Sequence, residues 1–222
     1  MLAPACLLCG SRSADGGLCA GCEASLPNLP IRRCPVCAIP QSTGETCGRC
    51  LARPPSFDRV VAALAYEFPA TVLVQGLKYR GSLACARPLA TALANVLDDE
   101  PYPDLVIPMP LARTRTIERG FNQAMEIARY LSIEFGIKAS NAVCRRTRDT
   151  VPQISLPWKQ RARNMRGAFE CSVNLSGKRV AVVDDVLTTG ATLNELAAVL
   201  KRQGAVEVVG WVATRTPAPG DA

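Results

Sequence analysis

The segment Val180–Thr192, VAVVDDVLTTGAT, constrains the fold of this chain more than any other. Val180–Val183 is too short and too β-branched for a helix, so it reads as a fully buried strand of the kind parallel sheets use. Asp184 and Asp185 follow at its C-terminal end, the edge where open α/β sheets place their ligands. Thr188, Thr189, Gly190, Ala191 and Thr192 then form a loop that opens a helix. Small residues let a backbone approach an anion closely, the N–H groups of a helix N-terminus face it, and threonine hydroxyls add donors. Carboxylates repel a phosphate but accept hydrogen bonds from sugar hydroxyls. The segment therefore suits a ligand with vicinal hydroxyls at one end and a phosphate at the other.

The rest of the chain places this segment in a repeating context. Val60–Tyr66 reads as a strand, and Thr71–Tyr79 and Arg87–Leu97 read as helices, the second with Leu89, Leu93 and Leu97 on one face. Asp104–Ile107 is a strand running into Pro108-Met109-Pro110. Phe121–Phe135 is a helix stopped by Gly136. Leu193, Leu196 and Leu200 stripe the helix after the loop, and Val206–Thr214 is a last strand. Strands alternating with helices predict a parallel α/β sheet flanked by helices. Arg53-Pro54-Pro55-Ser56 reads as a linker, dividing the chain into modules 1–53 and 54–222, and the tail Pro217–Ala222 is expected to fray. No stretch approaches the roughly 18 consecutive apolar residues of a membrane span, and the N-terminus lacks the basic region of a secretion signal. A cytoplasmic location is expected.

Eight of the eleven cysteines form four Cys-x-x-Cys pairs: Cys6/Cys9, Cys19/Cys22, Cys34/Cys37 and Cys47/Cys50. Each half reads C-x2-C-x9-C-x2-C, and the halves repeat with a period of 28. Two such pairs complete the tetrahedral thiolate shell of one Zn²⁺, so a double zinc ribbon with two structural Zn²⁺ sites is expected over residues 1–53. With no histidine in the chain, all-cysteine ligation is the natural set. Sequential pairing needs only short loops and is favoured; a cross-braced pairing of Cys6/Cys9 with Cys34/Cys37 is the alternative. So small a module needs the metal for its stability. Cys85, Cys144 and Cys171 are scattered and read as small apolar residues.

The hydrophobic run, paired acids and T-T-G-A-T of Val180–Thr192 resemble the 5-phosphoribosyl-1-pyrophosphate (PRPP) segment of type I phosphoribosyltransferases. The resemblance implies that Asp184 and Asp185 bind the ribose 2′- and 3′-hydroxyls. It also implies that Thr188–Thr192 wrap the 5′-phosphate, with Mg²⁺ bridging ribose and pyrophosphate. Further motifs are Lys78-Tyr79-Arg80-Gly81, Ile107–Leu111, Glu118–Gln123, Pro152-Gln153 and Arg161…Asn164…Gly167-Ala168-Phe169. Together with the cysteine module they resemble the ComF/GntX family, phosphoribosyltransferase-like proteins linked to bacterial natural competence. In that frame Pro108, Met109 and Pro110 correspond to the pyrophosphate loop. Arg113, Arg115 and Arg119, expected on the loop that follows, close over pyrophosphate or form a solvated charged surface. Asn122 starts the next helix, as a ligand or only as a cap.

Net charge is +7, and 21 of the 26 basic residues are arginine, which suits an anionic partner. The window Arg145–Arg166 is the most basic. Arg145, Arg146, Arg148, Lys159, Arg161, Arg163 and Arg166 surround Trp158, an arrangement suited to single-stranded nucleic acid or to a mobile loop over the PRPP site. The family reading implies a PRPP-binding protein of DNA uptake, beside a helicase-like partner; its alternative is an active phosphoribosyltransferase of nucleotide metabolism without a DNA role. No residue set identifies an acceptor base.

Overall fold

The 28-residue cysteine repeat is also a repeat of backbone geometry. In the computed structural model, which describes residues 4–14, 16–98, 100–148 and 164–217, Ala5 bridges Arg12 and Arg33 bridges Pro40. The Cys6 amide donates to Ser11 O at 2.7 Å and the Cys34 amide to Ile39 O at 2.9 Å. Both turns pass through the left-handed region, at Gly10 (φ +74°) and at Ala38 (φ +54°). Each half ends in a short helix, α1 (Ala20–Ala24) and α2 (Gly48–Ala52).

Between the halves, residues 27–29 run antiparallel along β1 (Arg59–Ala65), with Leu29 N donating to Ala63 O at 2.9 Å and Ala65 N to Pro27 O at 2.7 Å. This covers an edge that would otherwise be open to pairing. The chain continues through α3 (Ala70–Tyr79), α4 (Ala86–Ala94), β2 (Leu105–Pro108), α5 (Arg113–Arg119), α6 (Gln123–Phe135), β3 (Cys144–Arg146), β4 (Phe169–Cys171), β5 (Arg179–Leu187), α7 (Ala191–Arg202) and β6 (Glu207–Arg215). Four strands form a parallel sheet in the order β1-β6-β5-β2, and β3 pairs antiparallel with β4. The expected parallel α/β sheet is present.

Strand pleating sorts the core into two layers. Val60, Ala62, Val180, Val182, Val208 and Val212 point to one face, where α7, the β3–β4 ribbon and the second cysteine half pack. Val61, Ala63, Ala181, Val183, Val209 and Trp211 point to the other, against α3, α4 and α6. Leu7, Leu8 and Leu18 of the first cysteine half lie against this second layer. The two ribbon halves thus straddle the sheet edge.

Two elements depart from the sequence expectation. Arg113–Arg119 is a helix, not a loop, and Gly120 closes it at φ +76°. The β3–β4 ribbon, three residues in each strand, carried no periodicity to read. Among the described residues, no helix is long and apolar enough to cross a membrane.

Candidate functional site

The C-terminal ends of the parallel strands converge on the acidic segment. Both aspartates lie within β5, before its end at Leu187. Successive strand residues face opposite sides of a sheet, so the carboxylates diverge rather than lie side by side. Asp185 points to the α3 layer, is buried, and meets Lys78, whose Nζ lies 2.9 Å from Oδ2. Burial alone would lower the Lys78 ammonium; the Asp185 charge outweighs it and holds the group above its usual value. Asp184 keeps partial exposure, and its Oδ1 accepts the Asp185 amide at 2.9 Å. Burial, and next the Asp185 charge, push Asp184 up to about 8.

The loop beyond β5 is short. Thr188 and Thr189 are half-exposed, Gly190 sits at φ +78°, and α7 begins at Ala191. Only glycine takes that backbone angle without strain. The Thr189 hydroxyl accepts the first α7 amide, that of Ala191, at 3.1 Å, and the amides that follow in the first turn have no acceptor within the helix. On the adjacent strand, the Met109 amide donates to Val183 O at 2.8 Å, so Pro108-Met109-Pro110 is buried against β5. Asn122 does cap α6, accepting from the Ala124 and Met125 amides, and its Nδ2 donates to Met109 O at 3.0 Å. The Phe68–Pro69 peptide is the cis bond among the described residues.

Of the α5 arginines, Arg119 turns inward. Its Nη1 donates to Gln123 Oε1 at 3.0 Å and its guanidinium lies over the Tyr79 ring at 5.6 Å. Arg115 pairs with Glu118 at 2.9 Å and Arg113 is exposed. In the basic window Arg145 pairs with Glu170 at 2.8 Å, and Arg146 stands over the Phe169 ring at 5.8 Å. Arg148 donates to Asn164 O and Arg166 O. These three are engaged within the fold. Pro152, Gln153, Trp158, Lys159, Arg161 and Arg163 lie outside the described residues.

The eight repeat cysteines form two clusters, Cys6/Cys9/Cys19/Cys22 and Cys34/Cys37/Cys47/Cys50, with the sulfurs of each within 4.8 Å of one another. Pairing is sequential. The Cys9–Cys19 and Cys37–Cys47 sulfurs are both 3.7 Å apart. A tetrahedron with Zn–S bonds of about 2.3 Å has S···S edges of about 3.8 Å, so the donor sets fit zinc. In each half an amide donates to the first sulfur at 3.3 Å, from Cys19 to Cys6 and from Cys47 to Cys34. Amide donors, led by that of Cys9, pull Cys6 down to about 6. Burial pushes Cys34 up, but the amides of Cys47, Cys37 and Val36 outweigh it and leave the thiol at about 7.

Residues 1–51 match the double zinc ribbon domain family and residues 116–217 the phosphoribosyl transferase domain family. Competence protein F of Haemophilus influenzae is 34% identical over 208 residues, covering 89% of this chain and 90% of that protein. The chain belongs to the ComF family. A DNA utilization protein, YhgH of Escherichia coli K12, is 33% identical over 220 residues (95% and 96% covered), and competence protein ComFC of Bacillus subtilis is 26% identical over 225 (90% and 89%). This ComF chain is therefore a phosphoribosyltransferase-like α/β protein with two four-cysteine zinc clusters.

Two residues escaped the sequence reading. Lys78 stood out only as part of a motif; its partner Asp185 is 107 positions away. Arg215, wholly buried at the end of β6, donates to Cys37 O across 178 positions. Neither pairing leaves a local signal.

Proposed function

We propose that this ComF protein binds PRPP at the C-terminal edge of β5 and acts in the uptake or handling of DNA. The observation that carries the first half is the Asp184–Thr192 segment itself: a partly exposed carboxyl group, then a small-residue loop leading into a helix N-terminus, at the C-terminal ends of β5 and its neighbour β2. In this reading Asp184 accepts from the ribose hydroxyls, and Thr188–Thr192 surround the 5′-phosphate with amides and hydroxyls. Asp185 shares in the ribose contact when Lys78 gives up its pairing. In this reading Lys78, on Asp185, and Arg119, over the Tyr79 ring, supply positive charge for pyrophosphate beside Pro108–Pro110. Asp184, pushed up to about 8, would have to give up its proton to ligate Mg²⁺, and with Asp185 committed to Lys78 the ion would be held mostly by ligand oxygens and water. Bound there, Mg²⁺ would neutralise charge on the pyrophosphate.

The names of the relatives, competence protein F and DNA utilization protein, support the second half. A contribution of Arg145, Arg146 and Arg148 to single-stranded DNA binding would draw on side chains that already hold internal partners. Exposed ion pairs such as Arg145–Glu170 are weak enough to yield to a phosphate.

Calorimetric titration with PRPP and Mg²⁺ tests the central claim. Binding is expected in the wild type and absent in an Asp184→Asn, Asp185→Asn double variant whose circular dichroism and zinc content are unchanged; no heat with the wild type rejects the reading. Pyrophosphate release from PRPP with a panel of bases would show a transferase. Filter binding of single-stranded DNA, weakening steeply with salt, tests the DNA contact.

A further inference from the structure

Arg215 is the one charged side chain among the described residues with no exposed surface. It ends β6 and reaches in two directions. Toward the ribbon, Nε donates to Cys37 O at 2.9 Å. Toward the ligand loop, the two N–H groups of Nη1 are shared among Leu187 O at 3.0 Å, Thr188 O at 2.7 Å and the adjacent Thr216 O at 2.8 Å. Nη2 is buried without a hydrogen-bond partner. Burial works against the charge of this guanidinium and the positive charge of Arg49 adds to that, while the thiols of Cys37 and Cys47 work the other way. Carbonyl oxygens satisfy donors but carry no net charge, so a buried guanidinium still needs a counter-charge. Four thiolates around one Zn²⁺ carry a net charge of −2, and Cys37 of the second cluster is hydrogen-bonded to this side chain through its carbonyl.

We propose that Arg215 is a positioning residue that couples the second zinc centre to the ligand loop. The metal-thiolate cluster supplies the counter-charge that keeps the guanidinium buried. The guanidinium in turn fixes the Leu187 and Thr188 carbonyls from which Thr188–Thr192 spring. Coupling of this kind is reciprocal: loss of the second zinc loosens the loop, and weakening the arginine's grip loosens the second zinc. The consequence for PRPP rests on the binding reading above; the coupling does not.

The test compares the wild type with Arg215→Lys, which keeps a charge but loses the planar fork. Zinc transfer to a coloured chelator and hydrogen exchange of the peptide 186–192 are followed well below the melting temperature. Leu89→Ala, a cavity variant in the opposite layer, controls for general destabilisation. Arg215→Lys is expected to release one of its two zinc ions about fivefold faster or more, and to speed loop exchange similarly, while Leu89→Ala changes neither. The coupling is overturned if only one readout moves, if neither does, or if Leu89→Ala reproduces both. Should Arg215→Lys not fold, wild-type protein answers alone: as chelator removes the second zinc, exchange at 186–192 must accelerate ahead of exchange at 86–97. PRPP titration of the wild type is a separate arm, and its failure sinks the binding reading without touching this one.

Discussion

Asp184 and Asp185 are chemically identical and one peptide bond apart, yet the pleat gives them different surroundings. Asp185 is sealed against Lys78; Asp184, pushed up to about 8 by burial and then by its neighbour's charge, holds a proton at neutral pH. The unfolded chain releases that proton near pH 4, so between about 4 and 8 the native state binds more protons than the unfolded state. This contribution to stability is complete below about pH 4 and is lost as pH rises through about 8. Asp184→Asn removes the dependence. Urea titrations of wild type between pH 6 and 8 should lose about 1 kcal/mol per pH unit relative to the variant; parallel curves would show an ionised Asp184. Lys78→Met leaves the Asp185 charge buried without its partner and should cost about 2 kcal/mol, less than the full penalty of a deeply buried pair because Lys78 is partly exposed. Adding Asp185→Asn should recover much of that loss; additive costs would mean the pair does not interact.

Packing between elements turns on what a face leaves out. Gly210, in the middle of β6, lies under α7: a Cβ there would come within 2.5 Å of Leu193 Cδ2 and 3.2 Å of Val60 Cγ2. Leu193 is itself buried, so Gly210→Ala must push α7 outward or force a poor rotamer. A loss of about 2 kcal/mol in urea denaturation is expected, and a neutral result would mean the α7–β6 contact is slack. Helix α7 and its neighbour strand β5 show what the sequence makes legible. Leu193, Leu196 and Leu200 recur at helical spacing and Val180–Val183 is a buried run, so helix, strand and parallel sheet follow from period alone. Asn122 as a cap and Gly136 as a stop are local chemistry and also legible. Arg113–Arg119 is not: RTRTIER has no apolar stripe, and its helix depends on the capping glycine and on Arg119 reaching Gln123. The β3–β4 ribbon depends on strands more than 20 residues apart finding each other. Within the site, the loop and both acids were readable as a local string, whereas Lys78 and Arg215 act through contacts that only the folded chain creates.

Across the molecule, the duplicated ribbon is duplicated in geometry but not in setting. In the first cluster Cys9 is exposed and Cys19 and Cys22 are half-buried; in the second, Cys34, Cys37 and Cys50 lie in the core shared with α7 and the sheet. Metal binding contributes to folding only as far as the ligated segment is coupled to the rest. The first zinc stabilises a peripheral knuckle leaning on α4's layer, while the second closes one wall of the main core. Cys9→Ser should therefore lower the melting temperature by only a few degrees and leave one zinc bound. Cys37→Ser disrupts a buried cluster and should cost about 3 kcal/mol, roughly 10 °C for a chain of this size. Scanning calorimetry with metal analysis on both variants separates the cases. Equal shifts would mean that the repeat is energetically symmetric, and that sharing a core with the sheet adds nothing to the second metal's role.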